Sequence, residues 1–140
     1  MLRRGLIAIA ICAAAAGAGV ASAQTGDGLS SSWGQANICS PTQLGARAQL
    51  AGDGSSARMS VRFTAQWLSP SGWVPLAGAA TSPWQSAGSA VYTWGQAGWT
   101  YNLTVPAGNS YQLRAVAELR WSGENARSET YTTGTCTVAG

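Results

Sequence analysis

The chain predicts an all-β protein, an antiparallel β-sandwich of about seven strands, and three observations carry the prediction. Apolar and polar side chains alternate with a period of two, the repeat of strands that bury one face. The cleanest case sets Met59, Val61, Phe63, Ala65 and Trp67 against Arg58, Ser60, Arg62, Thr64 and Gln66. No stretch shows a sustained helical period. Turn clusters rich in Gly, Pro, Ser and Asn recur at roughly ten-residue intervals, which is the spacing of a sandwich or a small barrel. About seven strands in roughly a hundred residues favour the sandwich.

The N-terminus comes first. Arg3 and Arg4 precede an apolar run from Leu6 to Ala16, and Ala21-Ser22-Ala23 gives a small-x-small pattern before Gln24. The pattern predicts a secretory signal peptide over residues 1–23, cleaved after Ala23. Its apolar run is shorter than the roughly 20 residues of a membrane span. Cys12 raises a lipoprotein reading, but Ile11 stands where such a site wants a small residue.

Residues 24–38, rich in Gly, Ser and Gln, predict a flexible arm or a weak edge strand, and residues 39–140 the sandwich domain. Leu44, Ala46, Ala48 and Leu50 mark the first clear strand, and Gly52-Asp53-Gly54-Ser55-Ser56 turns it into the strand through Phe63. A turn at Ser69-Pro70-Ser71-Gly72 leads to a short strand over 73–76, then to a long loop over 77–90 that has room for a brief edge strand. Strands over 91–94 and 99–105 flank Gly95-Gln96-Ala97-Gly98, read as a four-residue hairpin loop, with a bulge in one long strand as the alternative. After Pro106-Ala107-Gly108-Asn109, Tyr111, Leu113, Ala115, Ala117, Leu119 and Trp121 alternate through a long strand. Ser122-Gly123-Glu124-Asn125 returns the chain into a last strand over 126–133.

Cleavage removes two of eight arginines and leaves six against five acids, a mature net charge of +1. That is too little for the basic stripe by which proteins track phosphates, so no nucleic-acid partner is expected. It also leaves Cys39 and Cys136, and an isolated pair in an oxidising compartment is most simply one disulfide. A redox pair is the competing reading, and it lacks a Cys-x-x-Cys spacing. Arginine without lysine, together with the Ala and Gly content, resembles secreted proteins of GC-rich bacteria.

Residues 101–119, YNLTVPAGNSYQLRAVAEL, resemble the corner before the penultimate strand of fibronectin type III and immunoglobulin-like domains. An aromatic and an apolar residue lead into Pro-x-Gly and then Tyr-x-Leu-Arg-x-x-Ala. The segment SGENARSETYTT is similar to the loop and strand that follow in those domains. The resemblance implies that Tyr111 is the corner tyrosine, its hydroxyl bonded to backbone upstream. It implies a fold and no particular activity.

Without histidine, Ser–His and Cys–His nucleophilic systems are excluded, and nearly all zinc sites with them. No cofactor or metal is expected, and Asp53 in Gly-Asp-Gly is a turn residue. Glu118 and Glu129 are the one pair of carboxylates that a glycosidase could use, but cross-strand pairing of Glu118 with Arg62 is the favoured account. The chain is therefore expected to be a secreted, non-enzymatic binding module for an extracellular protein or glycan. A carbohydrate- or cell-wall-binding module using exposed tryptophans is one alternative, and a secreted inhibitor presenting loop 77–90 is another. Trp67, Trp99 and Trp121 have the inward parity of their strands, whereas Trp33, Trp73, Trp84 and Trp94 stand beside Gly or Pro and are the candidate ligand-binding rings. Trp84 leads because Pro83 stiffens its loop, and Trp94 follows. Trp33-Gly34-Gln35-Ala36 and Trp94-Gly95-Gln96-Ala97 repeat one tetrapeptide, whose glycine suits a bend beside a packed ring.

Overall fold

The computed structural model describes Ile9–Ala10 and residues 31–140. Apart from Ile9–Ala10, the expected signal peptide over 1–23 lies outside the described residues, as do residues 24–30 of the expected arm. The described residues form strands and no helix: β1 (Ile9–Ala10), β2 (Trp33–Cys39), β3 (Gln43–Ala51), β4 (Arg58–Ser69), β5 (Gly72–Pro75), β6 (Gln85–Ser89), β7 (Trp94–Leu103), β8 (Ser110–Ser122), β9 (Arg127–Thr132) and β10 (Cys136–Ala139).

All pairings are antiparallel. One sheet has the order β1-β7-β3-β2. The other is built on the long β4–β8 pair, with β5 and β6 both along β4, and β9 and β10 both along β8. The two sheets enclose one core because every second residue of the central strands points inward. Leu44, Ala46, Ala48 and Leu50 of β3 meet Met59, Val61, Phe63 and Ala65 of β4 and Leu113, Ala115, Ala117, Leu119 and Trp121 of β8 in a single buried cluster. The many alanines let the sheets approach, and large rings fill what remains. Trp121 and Tyr101 are the largest fully buried side chains. Each also ties the sheets together through its polar atom. The Tyr101 hydroxyl donates to the Phe63 carbonyl at 3.0 Å, and Trp121 Nε1 donates to the Ala51 carbonyl at 3.0 Å. Burial pushes the Tyr101 phenol well above its ordinary pKa.

Cys39 and Cys136 form the disulfide, with Cα atoms 5.7 Å apart and a sequence separation of 97. It joins the end of β2 to the start of β10, one strand in each sheet.

Several elements differ from the sequence reading. The edge strand expected as one option for the arm is real over Trp33–Cys39, so the sheet begins before Cys39. Gly95 to Gly98 make no hairpin, because β7 runs unbroken from Trp94 to Leu103 in regular register with β3. These glycines answer tertiary crowding. A Cβ on Gly95 would lie 1.8 Å from the Ala87 carbonyl oxygen, and one on Gly98 would lie 2.9 Å from that of Ala46. Residues 91–93, read as strand, are the turn into β7. The last strand is split into β9 and β10 around Thr133, whose hydroxyl takes over the backbone pairing by accepting from the Ala115 N–H at 3.0 Å.

The corner assignment also changes. Tyr111 is half-buried and packs edge-on against Trp67, with ring centroids 5.8 Å apart. Among the described residues its hydroxyl makes no hydrogen bond, and the buried, bonded phenol is that of Tyr101.

Candidate functional site

The four candidate tryptophans occupy four different environments. Trp33 opens β2 in register with Gln49 and is buried. Trp73 of β5 is half-buried, with the Arg114 guanidinium carbon 4.2 Å from its ring centroid. Trp84 does not project from its loop. It lies half-buried over the outer face of the β4–β8 sheet, with Arg62 at 4.7 Å and Arg120 at 3.9 Å from its ring. Only Trp94, 40% exposed, offers its ring to solvent.

Trp94 has company that the sequence reading missed. Val91 and Tyr92, in the turn between β6 and β7, are 58% and 70% exposed. Three large apolar side chains within four residues thus stand in solvent at one end of the sandwich. Their backbone is held firmly. Ala90 and Thr93 carbonyls accept from the turn after β3: Gly52 N–H to Thr93 at 2.8 Å, Asp53 N–H to Ala90 at 3.0 Å and Gly54 N–H to Ala90 at 2.8 Å. The Ala90 N–H donates in turn to Ala57 at 2.8 Å. Gly52 is required here, since a Cβ would sit 1.6 Å from the Tyr92 carbonyl oxygen.

The supporting turn is braced in its turn. Asp53 pairs with Arg127 at 2.9 Å, and Arg127 stacks over Trp121 with 4.1 Å to the ring centroid. Hydrogen bonds from the Ser55 side chain and backbone, and then the Arg127 guanidinium, hold the Asp53 carboxyl well below the usual carboxylate range. These bonds restrain the backbone of the aromatic turn in the free protein, which lowers the ordering cost of binding.

On the opposite side of β3 and β7 from the core, a polar row runs beside Trp94. Gln96 Nε2 donates to Gln49 Oε1 at 2.9 Å, and Arg47 donates to Gln96 Oε1 at 3.3 Å. The two Trp-Gly-Gln-Ala copies flank β3, one on each edge. At each glycine the facing sheet comes close: Tyr131 Cβ would be 3.2 Å from a Cβ on Gly34, as the Ala87 carbonyl is from one on Gly95 at shorter range. The repeat marks two places where an edge strand of the other sheet packs against the backbone.

Glu118 and Glu129 do not face each other. Glu118 registers with Arg62 on the outer face of the sheet and bonds it at 2.9 Å, as the parity argument predicts. Glu129 registers with inward-facing Leu119, and its carboxylate accepts from the Tyr131 hydroxyl at 3.2 Å. Among the described residues no group of three or more His, Cys, Asp or Glu side chains is arranged to hold a metal ion. Comparison with protein-family models and with curated protein sequences finds no match.

Proposed function

We propose that this chain is a secreted, non-enzymatic binding module of the immunoglobulin-like or fibronectin type III-like kind, which engages an extracellular protein or glycan through Val91, Tyr92 and Trp94. The observation that carries the reading is the exposed aromatic turn fixed by backbone hydrogen bonds to the β3–β4 turn. Large exposed apolar clusters on small monomeric domains mark interaction sites, and buried Trp and Tyr anchors dominate interface energies.

Two further observations support the class. The order β2-β3-β7 opposite β4-β8-β9/β10 sets first, second and fifth strands against third, sixth and seventh, counting β5 and β6 as one position. That order supports the immunoglobulin-like reading, with the fourth position moved onto the β4 edge. The disulfide and the leader pattern both suit an oxidising compartment outside the cytoplasm.

The geometry favours this turn over loop 77–90 as an inhibitor's contact. That loop lies along β4, with Ala65 N–H donating to Ala80 at 2.9 Å and Ser82 N–H to Phe63 at 2.7 Å, so its backbone is occupied by the sheet.

The test is capture by the immobilised mature domain from extracellular protein and polysaccharide fractions. Tyr92→Ala and Trp94→Ala, both at exposed positions, should keep the circular dichroism spectrum and weaken capture about 30-fold each, the equivalent of ~2 kcal/mol. Capture undiminished in both variants would refute the assignment.

A further inference from the structure

The charges are segregated over the molecule in a way the net value conceals. Register places Arg58, Arg62, Arg114 and Arg120 on the outer face of the β4–β8 sheet, with Glu118 as the carboxylate among them. This face has four guanidiniums against one carboxylate, an excess of three. The other described charges, Arg47 and Arg127 against Asp53, Glu124 and Glu129, leave an excess of one negative. Glu124 lies beyond the end of β8, where its carboxylate accepts from the backbone and hydroxyl of Ser56 at 3.1 and 3.0 Å.

Three of the four guanidiniums are also held in place. Trp84 lies against Arg62 and Arg120, and Trp73 lies against Arg114. Arg114 Nε donates to Gln66 Oε1 at 2.8 Å. A guanidinium stacked on a ring keeps its N–H edge for an oxygen partner and loses little freedom on binding. Arg58 and Arg120 have no acidic partner among the described residues. Arg114 and Arg120 are six residues apart on one strand, which is about 20 Å.

The β9 edge of the face is hydroxylic. Ser128, Thr130 and Thr132 of β9 register with Arg120, Glu118 and Val116 and are all exposed. Of the exposed large hydrophobic side chains, only Leu68 belongs to this face, at its far end beside Trp73.

From this juxtaposition we infer that the outer face of the β4–β8 sheet binds a linear acidic polysaccharide, its carboxylates on the guanidinium edges and its hydroxyls on the Ser/Thr row. The surface is extended and cationic, and it is poor in exposed apolar groups, which disfavours an apolar peptide or a bilayer. An excess of three charges over about 20 Å is also far sparser than the one phosphate per ~1.7 Å of duplex nucleic acid. The assignment uses none of the side chains of the aromatic turn, although Arg58, which registers with Ser89, brings one end of the face close to it.

Gel retardation of the mature domain by polygalacturonate, with neutral dextran as the control, tests the assignment. The wild type should be retarded at low salt and released at high salt. Arg58→Gln and Arg120→Gln should each weaken binding about 2- to 5-fold, and the double variant about tenfold. Glu118→Gln, which removes the carboxylate on the face, should tighten binding. Arg47→Gln on the other sheet should leave it unchanged. Absence of retardation in the wild type would overturn the inference. So would equal weakening by Arg47→Gln and Arg120→Gln, or equally tight binding of duplex DNA or phosphatidylserine vesicles.

Discussion

Replacing Tyr101 with Phe removes one oxygen from the centre of the molecule and leaves the ring in place. The hydroxyl is fully buried and donates from β7 across to the Phe63 carbonyl on β4. A buried hydrogen bond contributes about 0.5–1.5 kcal/mol net, and an acceptor left without any partner adds a further penalty of about 1–3 kcal/mol. The second cost does not arise here. The Phe63 carbonyl also accepts from the Ser82 N–H at 2.7 Å, so it remains bonded in the variant. The expected loss is therefore about 0.5–1.5 kcal/mol, which lowers the melting temperature of a domain this size by about 2–10 °C. Urea unfolding followed by tryptophan fluorescence, with the disulfide intact, should show a lower midpoint at unchanged slope. Tyr111→Phe is the counterpart and should cost less than about 0.5 kcal/mol, the range of a substitution that breaks no such feature. If Tyr111→Phe proves the costlier of the two, the reasoning fails and the corner tyrosine implied by the sequence resemblance is the right one.

Gly95→Ala should destabilise by at least about 2 kcal/mol, since its Cβ would meet the backbone carbonyl of Ala87 and no side chain can swing away. The urea midpoint checks this, and a neutral result would mean that β6 does not cross β7 as described. Intact-mass analysis of the purified protein should show two hydrogens missing at the Cys39–Cys136 pair and no alkylation of it without reductant. A Cys39→Ala/Cys136→Ala variant should lose up to about 4–5 kcal/mol, the chain-entropy value for a loop of this length. The Asp53 carboxyl has its pKa lowered in the fold, so its contribution is present above the ordinary value near 3.8 and is lost as pH falls below it. Between about pH 5 and about pH 2 the wild type should lose stability more steeply than Asp53→Asn, and parallel profiles would contradict the assignment.

What the sequence made legible was what a strand encodes locally. Alternation places Phe63 and Leu119 inward, and Arg62 and Glu118 outward, and the cross-strand pair follows once β4 and β8 are neighbours. With Cys12 assigned to the expected leader, Cys39 and Cys136 are the pair that remains, and the structure joins them. The failures share one cause, which is contact between segments distant in sequence. Gly95 and Gly98 look like a turn because glycine serves both turns and close approaches, and only the position of Ala87 and Ala46 tells them apart. Tyr101 has clear inward parity with Trp99 and Leu103, yet nothing local reveals that its hydroxyl ends beside the Phe63 carbonyl. Trp84 looks exposed in its own loop because the arginines that receive it lie on β4 and β8. Val91 and Tyr92 read as strand because β-branched and aromatic residues favour strands, and the bonds that hold them in a turn come from Gly52 to Gly54.

The cross-link between Cys39 and Cys136 also governs how the domain would behave under tension. A pull applied before Cys39 and after Cys136 can peel β2 from β3 only as far as Cys39, and the force then passes through sulfur to β10. The 97-residue separation it spans represents about 330 Å of extended chain at ~3.4 Å per residue. That length stays out of reach of a stretching force until the bond is reduced. The domain is thus a short, stiff link in mechanical series with whatever it joins, and a thiol reductant would convert it into a long and compliant one.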